Sequence, residues 1–312
     1  MNIYFIDTLE LTYSSDFDDI IKLTKNFKMV DPKKGAGNKE FISTELSGMG
    51  IIIKTRRSSK AELYKNSNKY KLVLRINPNK FYKPYMKTEH ISNIIEFCDM
   101  VERLDMQIQY CFSGLTIDDF EITRVDLTED IHGIPEDKIT QYIRIMRQLY
   151  LTLGFHHNKK LEENTEDFDP DSSFNAVNDS KKVEFVVYNK GHEVRSKKNS
   201  SDEQKEHYKD TMRVEVRCRK KFADKLSEKA YTAQKLVEIY RMRMEVIRDV
   251  FDDVFVLNKD SCFISPYWQK KQIKKYVSGK TKLGEKMNDF SKQLAHASRP
   301  TMESVIENSE KC

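Results

Sequence analysis

From Asn2 to Thr12 apolar and polar residues alternate, the period of a strand with one buried face. Ser15 then precedes DFDDIIKLTKNF, whose early acids and Ile20, Ile21 and Leu23 predict a short amphipathic helix. MVDPKKGAGNKE reads as a loop. Strands are predicted at Met49 to Arg56 and Tyr70 to Ile76, with Pro78 ending the second. Thr88 stands where a cap would open a helix to about Tyr110, because Ile91, Ile94, Ile95, Cys98 and Val101 keep helical spacing. A strand follows at Phe120 to Leu127. Pro135 then occupies the first position of a helix expected to reach Leu153. Asn158 to Asp171 is a polar, acidic loop, and strands follow near Phe174 to Val177, Val183 to Asn189 and Met212 to Cys218. Ser196 to Lys209 is hydrophilic enough to predict a mobile connection. Past Lys221 the strand signal ends. Ala223 to Val250 is helical in pattern, and a second helical run contains KKQIKKYVSGKTKLGEK.

These periods predict an α+β fold, with an antiparallel sheet carrying helices on one face. The expected boundaries are 1–221 for this domain and 222–312 for a helical region. Among 312 residues, 38% are hydrophobic and 33% charged, enough for a core under a heavily charged surface. Seventeen Phe and fifteen Tyr argue against disorder over most of the length. The net charge of +5 permits a nucleic-acid partner without requiring one.

Cys98, Cys111, Cys218, Cys262 and Cys312 are odd in number and contain no C-x-x-C pair. That argues against a disulfide framework and a cysteine zinc site, and favours reduced thiols in the cytoplasm. The acids in MNIYFIDTLELTY exclude a signal peptide there, and no run approaches the roughly 20 apolar residues of a membrane span.

Three strands carry the candidate chemistry. Residues two apart share a face of a strand. In ITRVDLTED, Arg124 and Asp126 oppose Val125 and Leu127. In VEFVVYNK, Glu184, Val186, Tyr188 and Lys190 oppose Phe185 and Val187. In MRVEVR, Arg213, Glu215 and Arg217 oppose Val214 and Val216. If the strands are neighbours, these polar faces merge around one tyrosine hydroxyl. A nucleophile, a cation and carboxylates are the groups a DNA-nicking site needs. Ordinary cross-strand ion pairs on a wet sheet face account for the same pattern, at about 0.2–1 kcal/mol each.

The order of T-R-V-D at Thr123–Asp126, Y-N-K-G-H-E at Tyr188–Glu193 and R-V-E-V at Arg213–Val216 adds to this picture. It resembles the replication initiators of rolling-circle plasmids, the Rep-trans family, and the gene II replication endonuclease of filamentous phages. N-P-N-K at Asn77–Lys80 and SSFNAVNDS at Ser172–Ser180 extend the resemblance, which covers about Leu72 to Asp224.

The resemblance implies that Tyr188 attacks one strand at an origin, forming a 5′-phosphotyrosyl link and a free 3′-OH. It implies a Mg²⁺ or Mn²⁺ ion, a homodimer and a replicative helicase partner. Asp126 and Glu215 are hard oxygen donors suited to such an ion. Lys190 supplies charge to the phenolate or to the scissile phosphate, and Glu193 is a base, a ligand or a salt-bridge partner. Arg124 and Arg213 either bind phosphate or pair with the neighbouring carboxylates.

Two features depart from the family. Arg75 stands where the plasmid initiators carry an acid, and the His-hydrophobic-His signature of other rolling-circle initiators is absent. His156 and His157 are adjacent and read as exposed loop residues. Lys270, Lys271, Lys274 and Lys275, flanked by Tyr267, Trp268 and Tyr276, suit duplex phosphate contacts or a solvated helix face. A conjugative relaxase with the same chemistry, and a non-catalytic DNA-binding protein on the same fold, are the alternatives.

Overall fold

The computed structural model describes residues 2–30, 39–42, 44–57, 70–86, 88–149, 151–152, 154–157, 172–180 and 182–255. Two compact units result, each discontinuous in sequence. The amino-terminal unit takes residues 3–129 and 217–244; the central unit takes 130–216 and the described residues from 245 onward.

The amino-terminal unit is built on strands β1 (Asn2–Ser15), β2 (Lys28–Val30), β3 (Lys39–Ile42), β4 (Ile51–Arg57) and β5 (Tyr70–Ile76). The first residues of β6 (Glu121–His132) and the last of β10 (Thr211–Arg219) complete it, in the order β2-β3-β4-β5-β1-β6-β10. Neighbours β1/β5, β3/β4 and β4/β5 are antiparallel, with Leu11 opposite Leu74 and Ile53 opposite Leu74. The alternation read from sequence sets which face is buried. Leu9, Leu11, Ile53, Leu72, Leu74 and Ile76 go to the core, while Arg56 and Arg75 stay exposed.

The helices of this unit begin with α1 (Phe17–Thr24), α2 (Thr44–Gly48), α3 (Pro78–Tyr82) and α4 (Ile94–Cys111). On α4, Phe97, Met100, Val101, Leu104 and Ile108 are buried, the i, i+3, i+4 stripe of an amphipathic helix. Helix α4 opens at Asn93 rather than Thr88. The Asn93 side chain accepts from the Glu96 amide, and Glu96 in turn accepts from the Ser92 amide. Pro78 does more than end β5. It enters α3 at its first turn, capped by Asn77, whose Oδ1 accepts from the Lys80 amide at 2.8 Å. Asn79 is buried, donating to the Ile6 carbonyl and accepting from the Ile91 amide. The N-P-N-K motif is therefore a structural staple. Gly50 sits beside it at φ +80, where a Cβ would lie 3.0 Å from the Lys80 Cβ.

The central unit uses the end of β6, then β10, β9 (Val183–Asn189), β8 (Ser173–Asn178) and β7 (Phe155–His157), in that order. Strands β8 and β9 form an antiparallel hairpin, with Ser173 opposite Tyr188 and Ala176 opposite Phe185. Its turn is closed by Asn178, whose side-chain oxygen accepts from the Lys182 and Val183 amides. Helix α5 (Glu136–Gln148) packs on β8 and β9 through buried Ile139, Ile143 and Met146. Pro135 is its cap residue, and the helix stops at Gln148 because Leu149 is extended.

Two further elements differ from expectation. Ser196 to Lys209 contains a helix, α7 (Asp202–His207), opened by a reciprocal Ser201/Gln204 capping box. His156 and His157 lie in a strand, where His157 meets the Phe174 ring edge-on and His156 bonds Asp179.

The predicted helix from Ala223 to Val250 is two helices, α8 (Lys220–Leu226) and α9 (Thr232–Val254). Residues 227–231 break it because Ser227 turns its hydroxyl to Glu238 and Thr232 donates to the Phe120 carbonyl. The first part of α9 serves the amino-terminal unit, where Tyr240 stacks on Phe97 with ring centroids 4.1 Å apart. Its last turns serve the central unit, where Phe251 and Phe255 pack on Phe185. The α+β antiparallel architecture matches the sequence reading. Among the described residues no helix is long and apolar enough to cross a membrane.

Candidate active site

Strand β9 delivers its even residues to the polar face. Phe185 and Val187 are fully buried on the other side, which fixes the register and leaves Tyr188 half-buried. β10 does the same for Arg213 and Glu215, with Val214 and Val216 in the core. The Tyr188 hydroxyl donates to Glu215 Oε1 at 2.6 Å. A short O–H···O⁻ bond of this kind places a proton acceptor on the phenol.

Tyr188 is one residue from the end of its strand. Asn189 caps α6 (Lys190–Ser196) by accepting from the His192 amide, so the chain turns immediately after the tyrosine. That turn brings Lys190 Nζ to 5.9 Å from the Tyr188 ring centroid. Lys190 is nearly buried and donates to Glu193 Oε2 at 2.8 Å. Burial alone would raise the Glu193 carboxyl. The Lys190 charge and hydrogen bonds from Lys190 and Lys197 outweigh it and hold the group below its ordinary value. Helix α6 is anchored to α5 through Glu136, which accepts from both Asn189 and Arg195.

The predicted arginines are both paired with carboxylates. Arg213 donates through Nε and Nη2 to Asp130 at 2.6 and 2.7 Å, a fork–fork pair inside the central unit. Its guanidinium is spent on an interior ion pair rather than presented at a surface. In the amino-terminal unit, Arg124 makes the same fork to Asp126, at 2.7 and 2.5 Å. Burial would lower the Arg124 guanidinium, but bonding and charge from Asp126 raise it above its ordinary value. Arg75 is exposed on β5, and the register sets Glu10 of β1 opposite it.

A divalent ion would have to compete for these donors. Both Asp126 oxygens accept from Arg124, and Glu215 Oε1 accepts from Tyr188. Among the described residues no group of three or more His, Cys, Asp or Glu side chains is arranged to hold a metal. Each carboxylate is already engaged by a donor of its own unit. Lys270, Lys271, Lys274 and Lys275 lie outside the described residues.

Sequence reasoning gave no role to Asp130, Glu136 or Gly191, and it named Tyr208 only as a nucleophile to test should Tyr188 fail. Asp130 was within reach, since it continues the alternation Arg124, Asp126, Thr128, Asp130 along one strand.

Comparison with solved structures returns "Structure of Rolling Circle Replication Initiator Protein from Geobacillus stearothermophilus". It is 11% identical with a TM-score of 0.42, over 81% of this chain and 86% of that chain. No curated protein matches. Residues 8–241 match the family model that describes the N-terminal region of the phage replication-associated protein of gene II, so the chain belongs to that family, as its gene II-like motifs indicated.

Proposed function

We propose that the chain is a rolling-circle replication initiator that cuts one DNA strand at an origin, with Tyr188 as nucleophile. The observation that carries this reading is the 2.6 Å bond from the Tyr188 hydroxyl to Glu215, beside the Lys190 ammonium. An unperturbed phenol has a pKa near ~10, so a nearby base and cation are what it needs at neutral pH. Glu215 takes the phenolic proton as the tyrosine oxygen attacks the scissile phosphorus. An O–P bond forms to Tyr188 and the P–O3′ bond breaks. The departing 3′ oxygen takes a proton from solvent, leaving a 5′-phosphotyrosyl link and a free 3′-OH. Lys190 stabilises the negative charge that passes from phenolate to phosphate.

The Mg²⁺ or Mn²⁺ expectation stands as a separate proposal with its own titration. Origin DNA is the proposed partner. A second copy of the chain and a helicase are proposed on family resemblance alone. Duplex contact by Lys270, Lys271, Lys274 and Lys275 is proposed from sequence.

The test is denaturing electrophoresis of the protein with a labelled single-stranded origin oligonucleotide. Tyr188→Phe removes one hydroxyl, so the covalent adduct should vanish while DNA affinity stays within about threefold. A persistent adduct would assign the chemistry to another tyrosine; Tyr208 and Tyr231 are the next to test, and of the two Tyr231, at 58% exposure, is accessible.

A further inference from the structure

Tyr208 is 4% exposed and follows directly on α7. Two cations lie within cation–π range of its ring. Lys190 Nζ is 5.3 Å from the centroid, and the Arg213 guanidinium carbon is 5.7 Å away. Arg213 is itself fixed by the two bonds to Asp130. A continuous path therefore runs from Asp130 through Arg213 and the Tyr208 ring to Lys190, and from Lys190 to the Tyr188 ring.

A second observation places the same residue under α6. A Cβ on Gly191 would stand 2.7 Å from the Tyr208 carbonyl oxygen. Only glycine lets the first turn of α6 lie this close to that backbone, so the turn carrying Lys190 rests on Tyr208.

We propose that Tyr208 is a positioning residue for strand cleavage. Its ring face holds the Lys190 ammonium beside Tyr188, against the competing pull of Glu193 and in place of the solvent Lys190 would otherwise seek. Tyr208 does not react: its burial keeps it from a DNA phosphate. The inference rests on Tyr188 being the nucleophile and adds how its cation is kept in place.

The ring quadrupole is the quantity to vary. Tyr208→Phe is the reference, followed by its mono-, di- and trifluorinated analogues, which change size little and drain the ring face of negative charge. Oligonucleotide cleavage should fall stepwise across the series, by about tenfold in total, about 1.4 kcal/mol. Melting temperature and DNA affinity should stay level. A flat series at unchanged melting temperature overturns the proposal.

A second readout does not depend on cleavage. The Lys190 Hε resonances should show the upfield displacement of protons above an aromatic face, and Tyr208→Leu should remove most of it, leaving the smaller share from the more distant Tyr188 ring. Resonances at random-coil positions in the wild type would also overturn the proposal. An adduct that persists in Tyr188→Phe sinks the parent reading, whereas a flat fluorine series in an active protein sinks this one alone.

Discussion

Two arginine–aspartate forks share a chemistry and differ in what they hold. Arg213 and Asp130 are 83 residues apart, on β10 and β6, with side chains 3% and 0% exposed. Arg124 and Asp126 are two residues apart on β6, with side chains 13% and 3% exposed. The first pair forms only when the two strands are in register, so it reports on the assembled central unit. The second needs little beyond the strand itself. It satisfies a buried carboxylate and, in doing so, occupies it. A buried ion pair contributes little net stability but is costly to break, because the survivor is left charged in a poor solvent.

Replacing the arginines separates the two roles. Arg213→Met strands the Asp130 carboxylate and should cost about 3–5 kcal/mol of unfolding free energy. Arg124→Met should cost less, about 1–3 kcal/mol, because water reaches the partly open position it vacates. Denaturant titrations of both variants give the comparison directly. Equal losses would erase the distinction, and a larger loss at Arg124 would reverse it.

The local fork also bears on the metal. With Arg124 present, Asp126 has both oxygens committed to a guanidinium. Calorimetric titration with Mn²⁺ should therefore show tighter binding in Arg124→Ala than in the wild type. The gain should be roughly tenfold, a fraction of the ~4 kcal/mol between unit charges 4 Å apart at an effective dielectric of 20. Affinity unchanged by Arg124→Ala, and also by Asp126→Asn, would place any ion away from this carboxylate.

Legibility in the sequence followed the range of the forces involved. β5 and β9 were readable to the residue, because alternation of Leu72, Leu74 and Ile76, or of Phe185 and Val187, is enforced by one buried face. Helix ends were less so. Thr88 and Asn93 are both capping residue types, and the side chain that accepts from the helix is that of Asn93, at the Glu96 amide.

The tyrosine, its cation and Glu215 were legible as a face on each strand. Their meeting required the strand order, which no local pattern encodes. Tyr208 was out of reach for the same reason. Its role comes from Lys190 and Arg213 arriving from two other elements, and its own neighbourhood, EQKEHYKD, is polar. The break between α8 and α9 depends likewise on Thr232 finding the Phe120 carbonyl, 112 residues away.

The smallest effect expected lies beside the tyrosine, in the ion pair of Lys190 with Glu193. Unlike the two forks, this pair is half open, with 30% of the Glu193 side chain exposed, so solvent screens it. Its contribution should not exceed about 1 kcal/mol. The sign follows from the lowered Glu193 carboxyl. A group whose folded value is depressed stabilises the fold above its unfolded pKa, about 4.3 for glutamate, and that stability fades as pH falls through the folded value. The stability difference between wild type and Glu193→Gln should then be constant from about pH 5 to 8 and shrink below about pH 4.3. Urea unfolding at stepped pH measures it. A difference that grows on acidification would show that Glu193 is held protonated, leaving no carboxylate charge to compete with the Tyr208 ring for Lys190.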